Sequence, residues 1–285
     1  MIWRIVLNLV NVNELGLRYD DNWAVGHFNV HNLEFARGVV TAACENRSPA
    51  ILAVGMLSIK YIGLKPLVAA CRAVAEESDV PVAIHIDHSR DVELVRRALE
   101  LGVTSVMFDG SALPFEENVA KTKEVVAMAH DHGATAEGEV GIVPHGTDPV
   151  SEKDMTDPDM AVEFVERTGV DLVAVSLGSI HGMKTAGASL DQDLLRALHQ
   201  KIKAPLVLHG ASGVLDEHVK DAVANGIRKI NVNTGLQVAC KNALTAQLNA
   251  SPDSGLLQDF ECGIAAIASA VSKKMVLFNS VNKAA

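Results

Sequence analysis

The sequence predicts an α/β protein: one (β/α)8 TIM barrel spanning residues 1–285, with a C-terminal helical extension. Three observations predict it. Eight short apolar segments alternate with stretches of helical period, with no linker between the units. The length, 285 residues, is near the ~250 typical of such barrels. The chain is 48% hydrophobic but only 4% aromatic. Its core is therefore Val, Ala, Leu and Ile, which suits parallel strands buried on both faces.

The strands are expected at 24–30, 50–56, 82–87, 105–109, 134–140, 171–177, 205–209 and 228–233. Between them the apolar spacing shifts toward 3.6. A helix over 92–101 stops at Gly102, and one over 117–132 is closed by Gly133. A third, over 158–167, opens with Asp157 as N-cap and Pro158 in first position, and stops at Gly169. Beyond Asn233 the chain reads as helix to about 248, then a polar break over 249–255, then a last barrel helix over 256–272. A doubly wound open sheet would need a glycine-rich phosphate turn after the first strand, and Phe28-Asn-Val-His-Asn-Leu-Glu34 is not one. The apolar first ten residues are too short to span a bilayer and are expected to pack on the barrel.

Charge narrows the partners. The formal net charge is −10, from 35 acidic and 25 basic residues, with no Lys/Arg cluster. Nucleic acid and anionic membrane are poor partners; a small anionic substrate remains open, because one site can be locally positive. Cys44, Cys71, Cys240 and Cys262 form no Cys-x-x-Cys pair and read as reduced thiols of a cytoplasmic protein.

Three histidines close apolar segments and precede small residues: His88 in VAIHIDHS, His181 in LVAVSLGSIHG and His209 in PLVLHGASG. In a parallel barrel all strand ends of one kind share one rim. Three imidazoles on it make a metal site with an open position, and favour zinc. His130, His132, His199 and His218 scatter over helices instead. Glu139, ending the fifth strand, could approach the same metal or a second position. Asp87 could shuttle a proton or merely orient a ligand histidine. Gly210-Ala-Ser-Gly213 and Asn231-Val-Asn-Thr234 follow the seventh and eighth strands, where such barrels often bind phosphate through backbone N–H groups and a helix N-terminus. The irregular stretch 141–156 lies on the same face and is long for a passive loop.

These residues carry a resemblance to the class II, metal-dependent ketose-bisphosphate aldolases, the fructose- and tagatose-bisphosphate enzymes. GHFNVHNLE, VAIHIDHS, SVMFDGSALPFEENVAKTKEVV, AEGEVG, FVERTGVDLVAVSLGSIHG, PLVLHGASG and KINVNTGL match in order from about 24 to 237, and FNVHNLE favours the tagatose branch. The resemblance implies an aldehyde-lyase. His88, His181 and His209 would hold zinc, with Glu139 an alternate metal contact. Asp87 would move the proton of the C4 oxygen. Gly182, Gly210, Ala211, Ser212, Asn231, Val232, Asn233 and Thr234 would hold dihydroxyacetone phosphate, and Asn231 would stabilise its enediolate. It also implies a homo-oligomer, dimer or tetramer.

The departures fall in two places. The loop after the fifth strand, where the family has a catalytic glutamate, is shorter here; Thr147 or Asp148 falls near that position, leaving Asp148 and His145 as candidate bases. The distal-phosphate residues are replaced: Ala53 and Gly55 stand in the second strand for Gln and Ser, Lys184-Thr185 for Tyr-Lys, and no arginine follows Arg228. The expectation is an aldolase whose aldehyde partner is not a conventional phosphorylated triose. A conventional bisphosphate aldolase and a non-catalytic metal- and phosphate-binding relative are the alternatives.

Overall fold

The computed structural model describes residues 8–144, 151–183 and 187–284. Eight parallel strands close in sequence order, the first pairing with the last. They are β1 (Val25–Asn29), β2 (Ala50–Gly55), β3 (Val82–Ser89), β4 (Ser105–Phe108), β5 (Thr135–Val140), β6 (Leu172–Val175), β7 (Leu206–Leu208) and β8 (Ile227–Val232). Around them lie α1 (Leu33–Asn46), α2 (Met56–Ile62), α3 (Leu64–Glu76), α4 (Val92–Glu100), α5 (Phe115–Asp131), α6 (Pro158–Thr168), α7 (Gln192–Lys201), α8 (Asp216–Ala224), α9 (Thr234–Ala250) and α10 (Leu256–Leu277). The predicted barrel is the observed one. α10 runs five residues past the expected end at 272, and packs on α1 and α9.

Local chemistry sets the helix starts. Asn32, Asp91, Asp157 and Asp191 each accept a backbone N–H of their helix's first turn, satisfying donors that would otherwise lack a partner. Asp157 with Pro158 behaves as the sequence predicts, and Gly169 ends α6 with φ 71°.

The barrel interior changes character along its axis. At the N-terminal end Val25, Ile51, Ala83, Met107, Leu172 and Val207 form an apolar layer, plugged by Val12, Leu15 and Trp23. The chain ahead of the plug hydrogen-bonds to Val82 through Val10 N and Asn8 O. Toward the C-terminal end, four strands place polar residues two apart: His27 and Asn29, His85 and Asp87, Glu137 and Glu139, Lys229 and Asn231, all buried. Side chains alternate faces along a strand, so each pair points inward on one side. The lower member forms a buried polar floor and the upper one reaches the mouth. Among the described residues, no helix is long and apolar enough to cross a membrane.

Candidate active site

The three histidines converge. One ring nitrogen from each of His88, His181 and His209 lies within 4.8 Å of the others. His209 sits one residue past β7, as expected for a strand end. His181 does not: β6 stops at Val175, and His181 lies in the following loop, its backbone N–H bonded to Pro144 O at 2.8 Å. The apolar run that suggested a strand through Leu177 bends into the loop after only four paired residues.

Outer partners orient the rings. His209 Nε2 is 2.9 Å from Glu137 Oε1, His88 Nδ1 is 3.4 Å from Asp109 Oδ2, and His181 Nδ1 is 3.2 Å from Val143 O. These contacts leave His209 Nδ1 and His88 Nε2 facing each other at 2.8 Å. Two lone pairs at that distance need a proton or a metal ion between them. Burial opposes charge on His88, yet Asp87, the Asp109 hydrogen bond and Glu139 outweigh it and lift its pKa to about 9. The His209 pKa is pushed well down by burial and by the His88 and Lys229 charges. Three imidazole nitrogens that converge at an open strand-end rim are a donor set that fits zinc.

Glu139 does not join that trio. With His88 and Asp109 it forms a second group of converging ligand atoms, and its Oε2 is buried without a hydrogen-bond partner. Burial, with Asp109 and Glu137 nearby, raises its pKa to about 8 against the pull of His88. Asp109 is held well below the usual carboxylate range, since hydrogen bonds from His88, Ser111 and Arg90 overcome its burial.

Asp87 stands between the histidines and two amides. Asn29 Nδ2 donates to its Oδ2 at 2.8 Å, and Asn231 Nδ2 lies 3.4 Å from its Oδ1. Burial raises the Asp87 pKa, but His88, His209, Lys229 and Asn29 together bring it below normal, so the group is ionised. Asn231 accepts from Lys229 Nζ at 2.7 Å, which turns its amide N–H toward Asp87 and His209.

A cavity of about 260 Å³ over this centre is lined by Asp87, His88, His181 and His209, and by the predicted Gly182, Gly210, Ser212, Asn231, Asn233 and Thr234. Ala211 and Val232 are the exceptions: their side chains pack in the hydrophobic core, so only their backbone is near the site. Gly210 has φ 68°, and a Cβ there would meet the Ile180 backbone at 2.9 Å. Asn233 immediately precedes α9, and His31 Nε2 lies 3.1 Å from its Oδ1. The candidate bases Asp148 and His145, and Lys184-Thr185, lie outside the described residues.

Sequence reasoning missed Glu137, Lys229, Asp109, His27, His85 and Arg90. The signal for Glu137, Lys229, His27 and His85 was present: polar residues two apart in otherwise apolar strands. His27 and His85 lie edge-on at 4.9 Å in the floor, with both His27 nitrogens unpartnered. Their pKa values are pushed down by burial and then by Lys229.

Comparison with known proteins agrees with this geometry. The sequence model of the class-II fructose-bisphosphate aldolase family matches residues 17–283. Sulfofructosephosphate aldolase of Alkalicoccus urumqiensis is 38% identical over 93% of this chain and 94% of its own. D-tagatose-1,6-bisphosphate aldolase subunit GatY of Klebsiella oxytoca is 41% identical over 81% and 83%. The crystal structure of the YdjI aldolase from Escherichia coli K12 superposes with a TM-score of 0.85 at 34% identity, over 97% of this chain and 100% of that one. The match spans nearly the whole chain, and the closed eight-stranded barrel is the fold the resemblance implied: the chain belongs to the class-II fructose-bisphosphate aldolase family.

Proposed function

We propose that the protein is a zinc-dependent aldolase that makes or cleaves the C–C bond between dihydroxyacetone phosphate and an aldehyde. The observation that carries this reading is the meeting, in one cavity, of three imidazoles, an ionised carboxylate and the loops after β7 and β8. His88, His181 and His209 would hold the metal. Bound there, zinc supplies Lewis-acid polarisation of the substrate carbonyl.

The remaining steps belong to the chain. Gly210 and Ser212, with the N-terminus of the 17-residue α9 at Thr234, hold the C1 phosphate through N–H and hydroxyl donors. In cleavage Asp87, fixed by Asn29, takes the proton from the C4 hydroxyl as the C3–C4 bond breaks; in synthesis it returns that proton. Asn231 donates to the oxygen on which negative charge develops. Asp148 is the proposed base for the C3 proton.

The distal phosphate site is degenerate in this reading. Ala53 is fully buried and Gly55 has no side chain, so neither offers a donor where the family resemblance implies Gln and Ser. An unpaired phosphate would forgo hydrogen bonds worth roughly 1.5–3 kcal/mol each. The 41% identity to the tagatose-1,6-bisphosphate aldolase subunit favours a second reading, a conventional bisphosphate aldolase. Cytoplasmic location and a dimer or tetramer complete the proposal; exposed Leu248, Leu256, Leu257 and Phe260 on α9 and α10 support an assembly.

A cleavage screen with added zinc, reading released dihydroxyacetone phosphate, tests it. Ketose 1-phosphates are expected to be cleaved, and the activity to fall by about 10²–10⁴-fold in Asp87→Ala. Cleavage of 1,6-bisphosphates in clear preference would leave the chemistry standing and reject the degenerate distal site.

A further inference from the structure

A second, larger cavity of about 880 Å³ opens beside the metal centre, on the side of β1, β2 and β3. It shares Asn29, Leu57, Asp87, His88 and Asn233 with the smaller cavity, whereas Gly210, Ser212 and Thr234 line only the smaller one. If the C1 phosphate occupies the loops after β7 and β8 and the C4 hydroxyl meets Asp87, the rest of the sugar continues on the Asp87 side, because Asp87 lines this cavity and the smaller one but not the cavity over Glu139 and Val143. It runs past Asp87 into the larger cavity. We infer that this cavity seats the aldehyde half of the substrate, and that Arg90 there selects a singly charged oxyanion, a carboxylate or sulfonate, at its far end. The inference rests on the aldolase reading.

Arg90 is the one arginine or lysine lining this cavity among the described residues. Its side chain is 65% exposed, yet its position is fixed, because Nε and Nη2 both donate to Asp109 Oδ2, at 3.1 and 3.0 Å. Asp109 is itself buried and anchored by Ser111 Oγ at 2.7 Å and by His88. A guanidinium has five N–H donors; Asp109 engages two, and the fork keeps donors for a planar or tetrahedral oxyanion. The same Asp109 oxygen contacts the His88 ring, so the guanidinium stands one carboxylate away from the metal centre.

Charge decides how much anion fits. Asp87, Asp91 and Asp109 line the cavity against a single guanidinium. A phosphate dianion would face three carboxylates with one cation already shared. A monoanion asks for one charge-assisted contact and meets about half the repulsion. Carbon surface for the sugar chain comes from Leu57 and Tyr61, which line the cavity four residues apart on α2 and are 81% and 84% exposed.

The test uses zinc-loaded enzyme and four ketose 1-phosphates differing only at the far end: carboxylate, sulfonate, phosphate and neutral hydroxymethyl. The expected kcat/KM for the two monoanions exceeds that for the neutral and phosphate ends by about tenfold or more. In Arg90→Gln the monoanion-to-neutral ratio collapses toward one, chiefly through KM, and Arg90→Lys restores part of it. Solvent exchange of the C3 proton of dihydroxyacetone phosphate, measured on each variant, shows that the fold and the other half-site survive. A ratio that persists in Arg90→Gln, or a phosphate end preferred in the wild type, overturns the inference. Absence of both exchange and cleavage in the wild type overturns the aldolase reading itself.

Discussion

Lys229 brings its Nζ to a place sealed from water, 2.9 Å from Glu137 Oε2 and 2.7 Å from Asn231 Oδ1. The contacts set two orientations at once. Asn231 must present its N–H to the cavity, because its oxygen is taken. Glu137, shared between Lys229 and His209 Nε2, fixes which imidazole nitrogen faces the metal position. Removing one member of a buried pair leaves the other uncompensated, so Lys229→Met is expected to lose about 3–5 kcal/mol of stability in chemical denaturation. The double variant Lys229→Met/Glu137→Gln should recover a good part of that loss, yet bind zinc about 10- to 100-fold more weakly than wild type in chelator competition. Wild-type affinity in the double variant would reject the orienting role. His88 and His209 were legible in the sequence because they end apolar runs before small residues, Asp87 because it adjoins His88, and Asn231 because it stands in the segment assigned to the end of the eighth strand. Lys229 and Glu137 were not, because each lies within a run and its inward face appears only once the two-residue period is followed from its neighbour.

Single elements explain how adjacent residues share one site. Side chains one apart on a strand point to opposite faces, yet Asp87 and His88 both reach the centre. β3 resolves this with a register shift against β4 between Ile86 and Ser89, and with His88 at φ 53°. A non-glycine residue in that region is strained, and the surroundings must hold it there; the Asp109 and His209 contacts do so. Nothing in VAIHIDHS announces a bulge, so the sequence reading stopped the strand at 87. At the opposite side, α1 and α10 approach closely at Gly38, where a Cβ would meet Ile267 Cγ2 at 2.7 Å and Ile264 O at 3.1 Å. In an exposed helix Gly→Ala would stabilise by about 1 kcal/mol. Here overpacking wins, and Gly38→Ala is expected to destabilise by about 1–3 kcal/mol without changing kcat/KM. A stabilised variant would show that α10 yields freely. The length of α10 was underestimated because its last turn buries Met275 and Leu277 against the barrel, a tertiary effect that local periodicity does not record.

Across the whole molecule the barrel is built as a gradient, apolar and plugged at the N-terminal end, then a buried polar floor, then a rim of three histidines beneath two joined cavities. Strand order and barrel closure followed from the repeated apolar segments, since each βα unit hides its strand on both faces. The larger cavity did not, because Arg90, Asp109 and Tyr61 come from three separate βα loops and helices that only folding brings together. Loaded with zinc, this rim is expected to activate dihydroxyacetone phosphate without any aldehyde. The direct measurement is deuterium incorporation at C3 of dihydroxyacetone phosphate in D2O, followed by NMR with the zinc form, the chelated form and Asp87→Asn. Exchange is expected with zinc, with loss on chelation, recovery on zinc return, and retained exchange in Asp87→Asn despite lost cleavage. No exchange by the zinc-loaded wild-type protein would contradict the aldolase reading.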